Sequence, residues 1–186
     1  MKLAWALLMM LLLAASPAAA QVPDDAIIMP GLRIGRWALE MTVDDLLRVN
    51  GQGSSVALSG PAYAAGFTVI AWPPSPLAVF TRDRRRIEAL SIEAGAFRTD
   101  KGIGIGSSSA NVIAAYGNST ATVAISSTTG VLVYDEIGAS FSVENDRVNR
   151  IWIFRARTGA SIWRYQATAP APVPAPTPTP GGRDGY

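Results

Sequence analysis

Two stretches of this chain carry one pattern, and that internal similarity limits the fold more than any other feature. Trp37 to Gly51 lines up with Ile103 to Gly117 at an offset of 66 residues. In each, alternating apolar residues give a short strand, a hydroxyl residue follows, then a helix, then a glycine. Thr42 with Asp45, and Ser108 with Asn111, have the spacing of a side-chain oxygen that satisfies the free amides of a first helical turn. Leu46 with Leu47, and Val112 with Ile113, give each helix one apolar stripe to lay on a sheet. Gly51 and Gly117 suit the left-handed position just past a helix end.

Each copy then ends in a hairpin. Leu77 to Thr81 turns through residues 82–85 into Ile87 to Glu93, and Ala139 to Val143 turns through residues 144–147 into Val148 to Ala156. At an offset of 61, Phe80 matches Phe141, Ile87 matches Val148, Leu90 matches Ile151 and Ile92 matches Ile153. The difference between the two offsets falls in a Gly, Ser and Ala-rich loop at Ser54 to Gly66. Phe67 to Trp72, Thr122 to Ser126 and Val131 to Tyr134 supply further strands. The expected class is α+β: two tandem repeats, each a short strand and helix followed by a three- to four-stranded antiparallel sheet, with the helices on one sheet face. Repeat 1 spans 31–95 and repeat 2 spans 102–165, joined by a linker at 96–101 and preceded by an extension at 21–30.

The ends have other purposes. Lys2, the apolar run Leu3 to Leu13 and the small residues Ala18-Ala19-Ala20 form a secretory signal peptide, which places the mature chain, starting near Gln21, in the periplasm or outside the cell. The apolar run is shorter than the ~20 residues of a membrane-spanning helix, and an uncleaved anchor is the alternative reading. Ala169 to Pro180 alternates proline with small residues, which favours an extended polyproline II segment of roughly 35 Å, either a spacer or a ligand for a proline-recognising module, and residues 166–186 form a proline-rich tail without a core.

The alignment of strand, hydroxyl cap, helix and glycine, repeated and followed by hairpins, resembles secreted tandem-repeat proteins of the β-lactamase inhibitor protein type. It is similar also to the single-unit outer-membrane assembly lipoproteins of the BamE/SmpA type. The resemblance spans residues 31 to 157. It implies helices packed on one face of an antiparallel sheet and a role in binding another protein. The chain lacks the cysteine of the lipoproteins and the disulfides of the inhibitors.

Composition narrows the chemistry. The chain has neither cysteine nor histidine, so thiolate and imidazole metal sites, a cysteine nucleophile and a Ser-His-Asp triad are ruled out; no metal site and no cofactor are expected. A Ser-Lys dyad would need Lys101 beside a serine such as Ser107, yet Asp100 and Gly102 put Lys101 in an exposed connection. The acidic pairs Asp24-Asp25, Asp44-Asp45 and Asp135-Glu136 lie beside helix starts or turns, where capping and solvation account for them; a carboxylate-dependent hydrolase is the enzymatic alternative. Gly102, Gly104 and Gly106 alternate with isoleucine at strand period and have no βαβ unit around them, unlike a dinucleotide loop. Asn118-Ser119-Thr120 matches a glycosylation acceptor, but a post-helix turn is the simpler reading. A formal charge of +2 is too small for a nucleic-acid partner.

Two sets of residues remain for binding. Along the last strand Ile151 and Ile153 face one side, while Arg150, Trp152 and Phe154 face the other; Ala89, Ser91 and Glu93, their counterparts in the first copy, read as solvated positions. Two aromatics on that face are either an interface or hidden beneath the Ile162-Trp163 segment or the other repeat. Arg82, Arg84, Arg85 and Arg86 put four guanidinium groups on one hairpin tip, suited to an acidic partner or simply to a solvated turn. The expected function is an exported protein-binding, inhibitor-like module without catalytic activity. The alternative is a structural component of the cell envelope.

Overall fold

A computed structural model describes residues 24–57 and 66–157. The expected signal peptide at 1–20, the Ile162-Trp163 segment and the proline-rich tail lie outside the described residues. Among the described residues, no helix is long and apolar enough to cross a membrane.

Both helices form where a hydroxyl cap precedes an apolar stripe. Thr42, in extended conformation, opens α1 (Val43–Asn50): its Oγ1 accepts from the Asp45 amide at 3.1 Å, and the Asp45 carboxylate accepts from the Thr42 amide at 3.1 Å. Ser108 opens α2 (Ser109–Tyr116) by accepting from the Asn111 amide at 3.1 Å. Gly51 and Gly117 follow the helices at φ 77° and 78°, a region that costs L-residues energy and glycine almost none.

The main sheet has eight antiparallel strands: β4 (Ser54–Ala57), β5 (Thr68–Ala71), β6 (Leu77–Thr81), β7 (Ala89–Ile92), β9 (Ala121–Ala124), β10 (Thr129–Tyr134), β11 (Ala139–Glu144) and β12 (Arg147–Phe154). Their spatial order is β4-β5-β6-β7-β12-β11-β10-β9. Four strands after α1 therefore meet four strands after α2 at the β7–β12 pair, where Ile92 faces Ile151, Ser91 faces Trp152 and Leu90 faces Ile153. A smaller sheet runs β3-β2-β1-β8, made of β1 (Ile27–Met29), β2 (Arg33–Ile34), β3 (Trp37–Ala38) and β8 (Arg98–Thr99). The class is α+β, built on antiparallel sheet, with β1 and β8 as a parallel pair.

The alternation of side chains splits the core in two. On the helix face, Val43, Leu46 and Val112 pack with Leu90, Ile92, Ile151, Ile153 and Phe141. On the opposite face, Phe67, Phe80, Ala89, Val131, Val133, Trp152 and Phe154 form a second cluster. Burying each large aliphatic or aromatic side chain contributes about 1.5–3 kcal/mol, so both clusters matter to stability.

Several expectations change. The segment Ser54 to Gly66 is not all loop, because Ser54–Ala57 pairs with Thr68–Ala71 as an edge strand; its serines and alanine gave no apolar alternation to read. The linker 96–101 holds β8 and the extension 21–30 holds β1, and these pair with each other, with Ile28 fully buried. The matching of Phe80 to Phe141 slips by one residue. Val79 is registered with Leu90 and Phe141 with Ile151, so Phe80 lies in the second cluster and Phe141 in the first. One residue more in the first hairpin turn turns every preceding side chain to the other face. Ala89 and Ser91, read as solvated, are both buried.

Candidate functional site

The arginine hairpin is held in shape by its one acid. Asp83 Oδ1 accepts from the amides of Arg85 and Arg86, each at 2.9 Å, and these two bonds, that from Arg86 first, hold its carboxyl below the usual value of 3.8. Arg84 sits at φ 57°, which closes the turn. The tip is anchored to the first helix, since the Val43 amide donates to the Arg85 carbonyl at 3.0 Å and Thr42 forms an antiparallel bridge with Arg86. The second hairpin meets its helix in the same way through Ser108 and Arg147, but its turn is the two-residue Asn145-Asp146, at φ 47° and 62°.

The four guanidinium groups do not act alike. Arg82 lies over the Phe67 ring, 4.5 Å from its centroid, and so covers the edge of the second cluster. Arg84, Arg85 and Arg86 are exposed, and among the described residues none of the three is in an ion pair. Arg85 and Arg86 line a cavity of about 400 Å³ together with Glu40, Met41, Thr42, Glu88 and Arg155. Arg155 itself donates to the carbonyls of Ile87 at 2.8 Å and Leu39 at 2.5 Å, which ties the end of β12 to the first half of the molecule.

The other predicted set is interior. Trp152 is 2% and Phe154 1% exposed, so of the two readings of these aromatics the structure takes the hidden one. Arg150 is partly exposed, pairs with Glu93 and lies 5.4 Å from the Trp152 ring centroid. The arginine hairpin and the Arg150 pair are thus separate features. The Lys101 ammonium donates to the Ala115 carbonyl at 2.7 Å and stands over Tyr116, while Ser107 Oγ accepts from the Gly104 amide. Asp45 belongs to the α1 cap and Glu136 pairs with Arg157. No group of three or more metal-ligating acids exists among the described residues.

A second cavity, not legible from the sequence, opens at the far end of α1. It measures about 520 Å³ and is lined by Arg36, Trp37, Asn50, Gln52, Ser54 and Trp72, among others. Trp72 Nε1 donates to the Gly51 carbonyl at 2.9 Å, and Trp37 Nε1 to Asn50 Oδ1 at 3.4 Å. Gly53 is required there, because a Cβ at that position would stand 2.9 Å from the Trp72 ring and from the Ala71 carbonyl oxygen. Tryptophans 35 residues apart carried no local pattern; only the sheet brings them together.

No known protein-family model matches the chain, and no curated protein does. Among solved structures, the fold is similar to the uncharacterized protein yfeY from Escherichia coli, at 14% identity and a TM-score of 0.46, over 68% of this chain and 97% of that one. It is similar also to a DUF4309 family protein (YjgB) from Bacillus subtilis subsp. subtilis str. 168, at 11% identity and a TM-score of 0.44, over 67% of this chain and 88% of the other.

Proposed function

We propose that this chain is an exported, non-enzymatic binding module, made of two diverged copies of one helix-and-sheet unit, that grips an acidic protein surface with the 82–86 hairpin. The observation that carries the reading is the state of Arg84, Arg85 and Arg86: three exposed guanidinium groups on a braced turn, with no ion pair among the described residues. The acid beside them is engaged by backbone amides, so the tip presents net positive charge. Guanidinium groups bind carboxylates in two-point geometry, and a rigid turn loses less freedom on binding than a loose one.

Support for the duplication comes from matched details. Each helix has a hydroxyl cap, each cap is bridged to the first residue after a hairpin turn, and each helix is followed by a glycine at the same φ. An aromatic side chain, Trp72 in one half and Tyr134 in the other, donates to that glycine's carbonyl at 2.9 and 3.0 Å. The apolar run and small residues within 1–20 support export.

The test is capture of acidic proteins from an envelope extract by the immobilised mature chain, with a variant carrying Arg84→Ser, Arg85→Ser and Arg86→Ser. The expected outcome is salt-sensitive capture by the wild type, lost in the folded variant; unchanged capture overturns the reading. A structural envelope role predicts instead that deleting residues 169–186 changes sedimentation with the cell wall.

A further inference from the structure

The two halves end their helices differently, and that difference opens a site. The last residue of α2 is Tyr116, whose ring packs against Tyr134 at 5.8 Å and Phe141 at 5.6 Å between centroids. The last residue of α1, in the corresponding place, is Asn50. A short amide there leaves the space beside Trp72 open, and the cavity of about 520 Å³ lies at that point. Its size is within the ~300–1,000 Å³ of ordinary small-ligand clefts.

We propose that this cleft binds a pyranose-containing oligosaccharide, a site independent of the arginine hairpin. The lining combines the partly exposed Trp37 indole, overlain by the exposed Arg36 at 5.5 Å from the ring centroid, and the largely buried Trp72 with the amides of Asn50 and Gln52 and the Ser54 hydroxyl, and it contains no carboxylate. Sugar rings offer an apolar C–H face to an aromatic ring, and hydroxyls that both donate and accept; side-chain amides match both capacities. Asn50 Oδ1 accepts from Trp37 Nε1 at 3.4 Å and from Arg36 at 3.3 Å, which fixes both groups at the rim and leaves the exposed Gln52 amide to donate and accept toward a ligand.

The competing occupant is a proline-rich peptide. Such segments dock on aromatic grooves, where an indole N–H is the natural donor to their carbonyls. Here both indole N–H groups are already used internally, by Gly51 and Asn50. The donors left belong to amide, hydroxyl and guanidinium groups, which favours the sugar.

The experiment is titration of the mature chain with chitotetraose, cellotetraose and an oligoglucuronate, followed by tryptophan fluorescence and calorimetry. A peptide of the sequence 169–180 is run in parallel. Saturable binding of at least one saccharide is expected, weakened tenfold or more by Trp37→Ala. It should be abolished by Asn50→Tyr, which fills the cleft as Tyr116 fills the second half. Circular dichroism and the melting temperature confirm that each variant is folded; if Trp37→Ala unfolds, Gln52→Ala replaces it. Retention of the neutral sugars in Arg36→Gln, with loss of the oligoglucuronate, separates stacking from charge. No saccharide binding at millimolar concentration, binding untouched by Asn50→Tyr, or saturation by the peptide alone overturns the proposal. Loss of acidic-protein capture in the arginine variant leaves it standing.

Discussion

Trp152 stands directly across from Ser91 in the β7–β12 pair that joins the two halves of the sheet. Their positions differ by 61, the offset at which the two hairpin sequences align. One large and one small residue thus meet at the junction, and on the other side of β12 Trp152 faces Ser140, again small and buried. The indole fills the second cluster because both neighbouring strands leave room for it. Trp152→Ala should cost about 3–5 kcal/mol in urea unfolding, as for a large aromatic removed from a core. Ser91→Leu should cost about 1–3 kcal/mol by overpacking the same junction.

The hydroxyls of Ser91 and Ser140 are shielded and have no hydrogen-bond partner among the described residues. Removing such a group deletes an unmatched polar atom with little loss of packing. Ser140→Ala should therefore leave stability unchanged or raise it by up to about 1 kcal/mol, read from the denaturation midpoint at constant m-value.

Arg155 joins β12 to Leu39 and Ile87 through two charged hydrogen bonds. Arg155→Met keeps the aliphatic stem and removes both. The expected loss is about 1.5–3 kcal/mol, with amide exchange at residues 39–41 and 86–88 accelerated before that of the sheet centre.

The helix caps give a signed pH effect. Asp45 is held below its ordinary value of 3.8, first by the Thr42 side chain, then by the Thr42 backbone amide and by Arg48. A carboxyl lowered in the folded state adds stability that is fully present above 3.8 and is lost as pH falls through the lowered value. Thermal melts of the wild type should thus fall more steeply below pH 4 than those of Asp45→Asn. Thr42→Ala should cost about 1 kcal/mol at neutral pH.

Neutralising Arg84, Arg85 and Arg86 should leave unfolding within about 0.5 kcal/mol of wild type, because no packing or ion pair depends on them. The slope of acidic-protein capture against salt should flatten at the same time, as measured by surface plasmon resonance.

Local chemistry was legible in the sequence. A hydroxyl three residues before Asp45 or Asn111, and a glycine after the last helical residue, set the caps through contacts inside one turn of chain. The alternation along Leu90, Ile92, Ile151 and Ile153 likewise put these four on one face, which is the helix side. The arginine cluster could be found by adjacency alone, although the stacking of Arg82 on Phe67 could not.

Other features depended on distance in the chain. The strand at Ser54–Ala57 has no apolar rhythm, and β1 and β8 are a few residues long and find each other across some 70 positions. Whether Trp152 is interface or interior stayed open in the sequence, because a strand pattern states which side a residue faces, not whether that side is covered. The tryptophan cleft was silent because Trp37, Asn50 and Trp72 share no local motif.

The sequence by itself determined where helices begin and end, the side shared by Leu90, Ile92, Ile151 and Ile153, and which catalytic side chains the chain does not contain, since each is fixed by a residue and its near neighbours. Only the tertiary structure decided that two four-stranded halves join through β7 and β12, that both sheet faces are packed, and that Asn50 leaves open the place Tyr116 fills. Those outcomes depend on long-range strand register and on the volumes that meet across it, and neither is written in any one segment.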